Sequence, residues 1–158
     1  MTQKYIGTKQ ITAWPAEKDG KPGYGVKYED GYTSWSPKEA FEKAYLPMGL
    51  LTEPVKDDGG KIVDLIYRGE NANKITQEMV DGFVSEWRDE RMGEKTTVVQ
   101  AILKNGFVIT DSSSCVDPAN YNHEIGFQIC QGRIKNQIWN LLGFTLQWAR
   151  TGLTPAPV

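Results

Sequence analysis

The chain has 158 residues, 39% hydrophobic and 24% charged, with 18 Lys plus Arg against 20 Asp plus Glu for a formal net charge of −2. A chain of this length can bury roughly 70% of its unfolded surface without disulfides or a structural metal, and its charge excludes the cationic excess on which general duplex binding depends. The N-terminal MTQKYIGTKQ has no apolar stretch after its lysines and no run of about 18 apolar residues occurs, so neither export nor a membrane span is expected. Cys115 and Cys130 lack CxxC spacing, which speaks against a disulfide framework or zinc site and fits a reducing cytosol.

In chain order, Tyr5, Ile6, Ile11 and Trp14 with Thr8 and Thr12 predict a half-buried strand ended by Pro15. Glu17 to Gly23 (EKDGKPG) reads as a loop. Tyr24, Val26 and Tyr28 alternate with Gly25, Lys27 and Glu29 before Asp30-Gly31 and Tyr32 to Trp35, which predicts a β-hairpin turning at Asp-Gly. Ser36-Pro37-Lys38-Glu39 supplies a cap, a first-turn proline and a reciprocal Glu for a short helix to about Tyr45 with Phe41 and Tyr45 on its apolar face. Residues 1–48 are thus expected to form a β-plus-helix module. In MGLLTEPVKDDGG (Met48 to Gly60) the apolar period fails, which marks a module boundary. Residues 49–74 form a linker with a short strand at Ile62 to Tyr67.

Thr76 is placed to cap an amphipathic helix with Val80, Phe83, Val84 and Trp87 inside and Glu86, Arg88, Asp89 and Glu90 outside. TTVVQAILK, Asn105-Gly106 and FVIT predict a second hairpin. Ser112 to Asn120, dense in small hydroxyl and Asx residues, reads as an irregular loop. A long helix follows from about Asn122, with Ile125, Ile129, Ile134, Ile138, Leu141 and Leu142 at helical spacing and Gly143 at its end. Phe144, Leu146 and Trp148 suggest a last short strand, and residues 151–158 a flexible tail. The whole predicts an α+β protein: a small β-hairpin-plus-helix module, then a second unit over 75–150 in which a β-hairpin packs on two helices.

Chemistry-bearing patterns are sparse. His123 is the only histidine, which disfavours imidazole-based hydrolysis and histidine-cluster metal sites. Cys115 with His123 is one conceivable nucleophilic pair, and Cys130, beside Ile129, reads as core. Neither GxxxxGK[ST] nor GxGxxG occurs. Asp111, Asp117 and Glu124 could hold Mg²⁺ or act as an acid/base pair, but turn formation by Asp117 and helix initiation by Glu124 account for them more simply. No catalytic set, metal or cofactor is therefore expected. A helix opening after SSSCVDPANYN offers free N–H groups beside Ser and Asn, which suits an anion. The aromatic-rich front module could stack bases or grip proline-rich peptides, or simply fill a small core. Gly126 and Gly132 inside the long helix point to close approach of another backbone, as between subunits.

NGFVITDSSSCVDPANYNHEIG (Asn105 to Gly126) and IWNLLGFTL (Ile138 to Leu146) resemble a family of small tailed-phage accessory proteins known by the label gene 49 / gene 66, with the likeness spanning about Ile75 to Gln147. YIGTK and DGYTSWSPKEAFEKAYLP are similar to a short module on phage proteins, some of which carry domains like Thoeris anti-defence proteins that sequester nucleotide signals. This chain lacks that sponge domain. The resemblance implies a phage protein acting in the host bacterial cytoplasm, non-essential to the virion, as a homo-oligomeric counter-defence factor. Its ligand would be a small nucleotide immune signal, of cyclic ADP-ribose type ahead of cyclic oligonucleotides, sequestered without catalysis. On local chemistry, Ser112, Ser114, Asn120 and Asn122 would meet phosphate or ribose, Arg133 or Lys135 would neutralise charge, and Tyr32 or Trp35 would stack on base. The alternatives are a protein-binding inhibitor of a host defence enzyme, and a signal-degrading enzyme using Asp117, His123 and Glu124.

Overall fold

The computed structural model describes residues 2–48, 54–56, 62–65 and 74–153. They divide into two compact units, Met1–Lys74 with Thr145–Val158, and Ile75–Phe144. The architecture is α+β, as the sequence predicts.

In the first unit, β1 (Thr12–Lys18), β2 (Lys21–Lys27) and β3 (Thr33–Pro37) form an antiparallel sheet in that order. The stretch Glu17 to Gly23, expected to be a loop, contains a two-residue hairpin turn. Lys18 pairs with Lys21 across Asp19-Gly20, whose φ angles of 53° and 73° are those a two-residue hairpin turn requires. The strand expected from Tyr5 starts only at Thr12, leaving Tyr5 and Ile6 exposed. It runs through Pro15, because β1 is an edge strand and proline there costs no ladder bond. Asp30-Gly31 does lie between β2 and β3, in a longer connection where Asp30 Oδ1 accepts from Tyr32 N–H.

Trp14, Gly25 and Trp35 share one row of this sheet, and a Cβ at Gly25 would lie 2.4 Å from the Trp14 ring. On the other face Tyr24 stacks on Phe41 of α1 (Lys38–Ala44) at 4.2 Å, and Phe41 on Tyr45 at 4.8 Å. The helix expected after Ser36 is present, but Ser36 lies in β3 and no side chain caps α1. Glu42 accepts a hydrogen bond from the Tyr24 hydroxyl, which holds that phenol above its ordinary pKa. β4 (Pro54–Lys56) and β5 (Ile62–Leu65) pair as a separate ribbon. Most of the expected boundary at 48–60, and the tail from 154, lie outside the described residues.

In the second unit, Thr76 Oγ1 accepts from Met79 N–H and caps α2 (Gln77–Phe83). The sequence predicts helix through Trp87, yet Val84 turns extended and β6 (Val84–Met92) pairs along β7 (Thr96–Leu103). The ladder outweighs the local helical spacing, and Trp87 still reaches an apolar partner, Phe127, edge to face at 6.1 Å. The Asn105-Gly106 hairpin forms as expected, with Gly106 at φ 83°. Its second strand, β8 (Val108–Ser114), absorbs Ser112 to Ser114, the start of the stretch read as an irregular loop. A 3₁₀ turn (Pro118–Asn120) then leads into α3 (His123–Thr151). α3 does not stop at Gly143. It takes in Phe144, Leu146 and Trp148, read from sequence as a strand, and ends where Gly152 adopts φ 63°.

The core of this unit is one face of β7 against α3. Thr97, Val99, Ala101 and Leu103 alternate with less buried neighbours, and α3 buries Gly126, Cys130, Ile134, Ile138 and Leu142, one every fourth residue. A Cβ at Gly126 would lie 2.4 Å from Thr97 Oγ1. The close approach read from this glycine is therefore to the chain's own strand. Cys130 is fully buried as expected, which raises its thiol pKa, with Asp111 adding to the effect.

Both edges of the sheet are guarded. β6 carries Glu86, Arg88, Asp89, Glu90 and Arg91. On β8, Leu103 N–H to Phe107 C=O and Cys115 N–H to Lys95 C=O set the phase, so the even-numbered residues aim their backbone groups away from β7. At Ser112, in the middle of that edge, the N–H goes to Asp111 Oδ1 at 2.8 Å and the C=O takes Arg133 Nη1 at 3.2 Å.

Candidate functional site

Where β7 begins, β8 ends and α3 opens, the second unit has a cleft of about 200 Å³. Its lining includes Lys95, Thr97, Ser113, Ser114, Asn120, Tyr121 and Asn122, with Ile125, Gly126 and Ile129 along one side. The register explains the set. Arg91, Thr97 and Ser113 stand in one row across β6, β7 and β8, and side chains alternate along each strand. Ser113 thus shares the α3-facing side with Thr97, while Ser112 and Ser114 share a row direction with Val98 and Thr96 on the opposite face.

Beside the cleft a hydrogen-bonded relay ties strand to helix. Asp89 Oδ2 lies 2.5 Å from His123 Nε2, His123 Nδ1 lies 2.8 Å from the Tyr121 hydroxyl, and that hydroxyl lies 3.1 Å from Thr97 Oγ1. In the tautomer that carries its proton on Nε2, every donor points one way, from Thr97 through Tyr121 and His123 to the Asp89 carboxylate. The Arg91 guanidinium covers the Tyr121 ring at 4.3 Å. His123 is the histidine noted in the sequence. Asp89 was read as the solvated side of a helix and joins the relay because β6 is a strand in which it stands beside Val99.

Of the residues expected to bind ligand, Ser114, Asn120 and Asn122 line the cleft. Ser114 hydroxyl is engaged with Thr96 Oγ1 at 2.8 Å, and Asn122 Oδ1 accepts Ile125 N–H as the cap of α3. Ser112 is not in the lining. Arg133 serves the β8 edge and lies 3.7 Å from Asp111, and Lys135 pairs with Asp81 at 2.8 Å. Lys135 and Gln77 together hold the Asp81 carboxyl below its ordinary pKa. Tyr32 and Trp35 belong to the first unit, Tyr32 exposed against Tyr28 and Trp35 half-buried with Nε1–H 3.4 Å from Ala16 C=O. Lys95, Ser113 and Tyr121 were missed. The period-two alternation of TTVVQAIL, continued across Asn-Gly, was the signal that could have selected Ser113 over its neighbours.

The carboxylates weighed as a metal or acid/base set are dispersed into local tasks. Asp117 accepts Ala119 N–H at the 3₁₀ turn, Glu124 accepts from Gln128 on α3, and Asp111 accepts Ser112 N–H. Among the described residues no three His, Cys, Asp or Glu side chains are grouped to hold a metal ion, and no helix is long and apolar enough to cross a membrane. Residues 75–149 match the phage protein (N4 Gp49/phage Sf6 gene 66) family. No curated protein and no solved structure matches the chain.

Proposed function

We propose, from the match of residues 75–149 to a phage protein family, that this is a counter-defence protein that binds and sequesters a small nucleotide immune signal in the host cytoplasm without turning it over. The observation that carries this reading is the chemistry of the cleft: one ammonium at Lys95, hydroxyl and amide groups at Ser113, Tyr121, Asn120 and Asn122, and no carboxylate. A phosphate entering there meets a cation and neutral hydrogen-bonding groups with no like charge in the lining. Hydrogen bonds between ionised partners are roughly twice as strong as neutral ones. A volume of about 200 Å³ is below the roughly 300–1,000 Å³ of sites that enclose a whole drug-sized ligand. The cleft therefore suits the phosphorylated sugar of a nucleotide, with the base outside it. Cyclic ADP-ribose-type signals stand ahead of cyclic oligonucleotides on the resemblance of the front module.

The test is to incubate purified protein with cyclic nucleotides and ADP-ribose isomers, remove free ligand, denature the protein by heat, and analyse what is released. Intact ligand near one equivalent per site, lost in a Lys95→Ala, Ser113→Ala double variant, supports sequestration through this cleft. Nothing retained and nothing altered moves the reading to an inhibitor that docks on a host protein. The Asp89–His123–Tyr121 relay favours one further reading, a signal-degrading enzyme with His123 as base. Altered ligand that no longer appears with His123→Ala would establish it.

A further inference from the structure

The outer face of α3 holds side chains that the chain itself does not explain. Ile125 is 55% exposed and Ile129 41% exposed, and Gly132, about one turn further on, is exposed with nothing within 4 Å of where its Cβ would stand. Glycine inside a helix is unfavourable relative to alanine. Gly126 has Thr97 to justify it, and Gly132 has no such neighbour and no positive φ. The charges along this face are sorted by end. Glu124 stands at its start and Lys135 roughly three turns later on the same flank, at 3.6 residues per turn.

We infer that this face is the interface between two antiparallel copies of the chain, crossing beside Gly132 at a point between Ile129 and Cys130. In an antiparallel pair centred between Ile129 and Cys130, Gly132 of each copy falls between the partner's Ile125 and the partner's Ile129, the ridge-into-groove arrangement that brings two helices close. The same register sets Glu124 of each copy opposite the partner's Lys135, whereas a parallel pair in register sets like charge on like. Lys135 keeps its bond to Asp81 and is still 29% exposed, so its ammonium can serve both carboxylates. Two-fold symmetry makes every contact occur twice. Ile125 and Ile129 also line the cleft, so the second copy walls its open side. The inference stands on the helix face and does not depend on which ligand the cleft takes.

The experiment is the solution mass of the full chain by light scattering and sedimentation equilibrium at high micromolar concentration. The expected result is twice the 17.7 kDa chain mass, with Gly132→Leu shifting the population to monomer while its circular dichroism stays that of the folded protein. Glu124→Lys weakens self-association at least tenfold, and adding Lys135→Glu restores part of it. A wild-type chain that is monomeric at that concentration overturns the inference. So does a Gly132→Leu variant that keeps the dimer, since the interface would then lie elsewhere.

Discussion

Gly126 and Gly132, two of the three glycines of α3, allow a paired test of how the helix sits on its sheet. Alanine at Gly126 puts a methyl carbon 2.4 Å from Thr97 Oγ1 and 2.8 Å from Thr97 Cβ. Thr97 is fully buried on the central strand and cannot yield without movement of β7 or α3. Overpacking of this kind costs about 1–3 kcal/mol, offset by up to about 1 kcal/mol gained when alanine replaces a helical glycine. Any displacement of Thr97 also strains its bond to Tyr121. The expected net loss is about 1–2 kcal/mol, a drop of roughly 0.5–1 M in the urea midpoint at an ordinary m-value. Gly132→Ala meets nothing and should stabilise the folded chain by a few tenths to about 1 kcal/mol, measured at a concentration dilute enough to keep the chain monomeric. Equilibrium urea unfolding followed by tryptophan fluorescence reads both. Equal shifts of the same sign in the two variants would refute the argument that Gly126, and not Gly132, is set by intrachain packing.

Asn122→Ala removes the acceptor for Ile125 N–H at the start of α3 and should cost about 1 kcal/mol, read by the same unfolding curve, whereas Asn120→Ala, which caps no helix, should cost less. In thiol labelling of the native protein, half-exposed Cys115 should react first, and Cys130, buried and with its pKa pushed up, should react only as fast as the unit opens. Asp81 has its folded-state pKa lowered by Lys135 and Gln77. Its contribution is present at neutral pH and is lost as pH falls below about 4, through the carboxylate range. Asp81→Asn should therefore lower stability at neutral pH and flatten the acid limb of the stability profile. An unchanged limb would show that the Lys135 pair contributes nothing in solution.

Fold class was legible because the strongest local signals coincided with tertiary structure. Asn105-Gly106 turns where it should, Thr76 caps its helix, and Cys130 is core. Local periodicity failed where pairing partners decided the outcome. Val80, Phe83, Val84 and Trp87 satisfy a helix on paper, but the unpaired edge of β7 captures everything after Phe83. Gly143 was a plausible stop, yet its position in a continuing helix imposes no left-handed backbone, so α3 runs on to Gly152. Half of the candidate site was visible as a cluster of Ser and Asn before a helix. The other half was hidden because strand register, which only long-range pairing sets, determines whether Ser113 or its neighbours share the side of Thr97.

The pairing of Ser112 with Asp111 and Arg133 bears on how this chain behaves in crowded solution. A fibre that grows by strand addition must find several consecutive free backbone groups on an edge, because each incoming chain is held only by that ladder. On β8 the ladder is interrupted at its midpoint, where both outward groups of Ser112 are already satisfied from within the chain. On β6 an incoming strand would have to dock beside a run of charges, Arg88 through Arg91. Neither rim of this sheet offers a continuous template, so growth by strand addition onto the β6–β7–β8 sheet is blocked from within the unit itself.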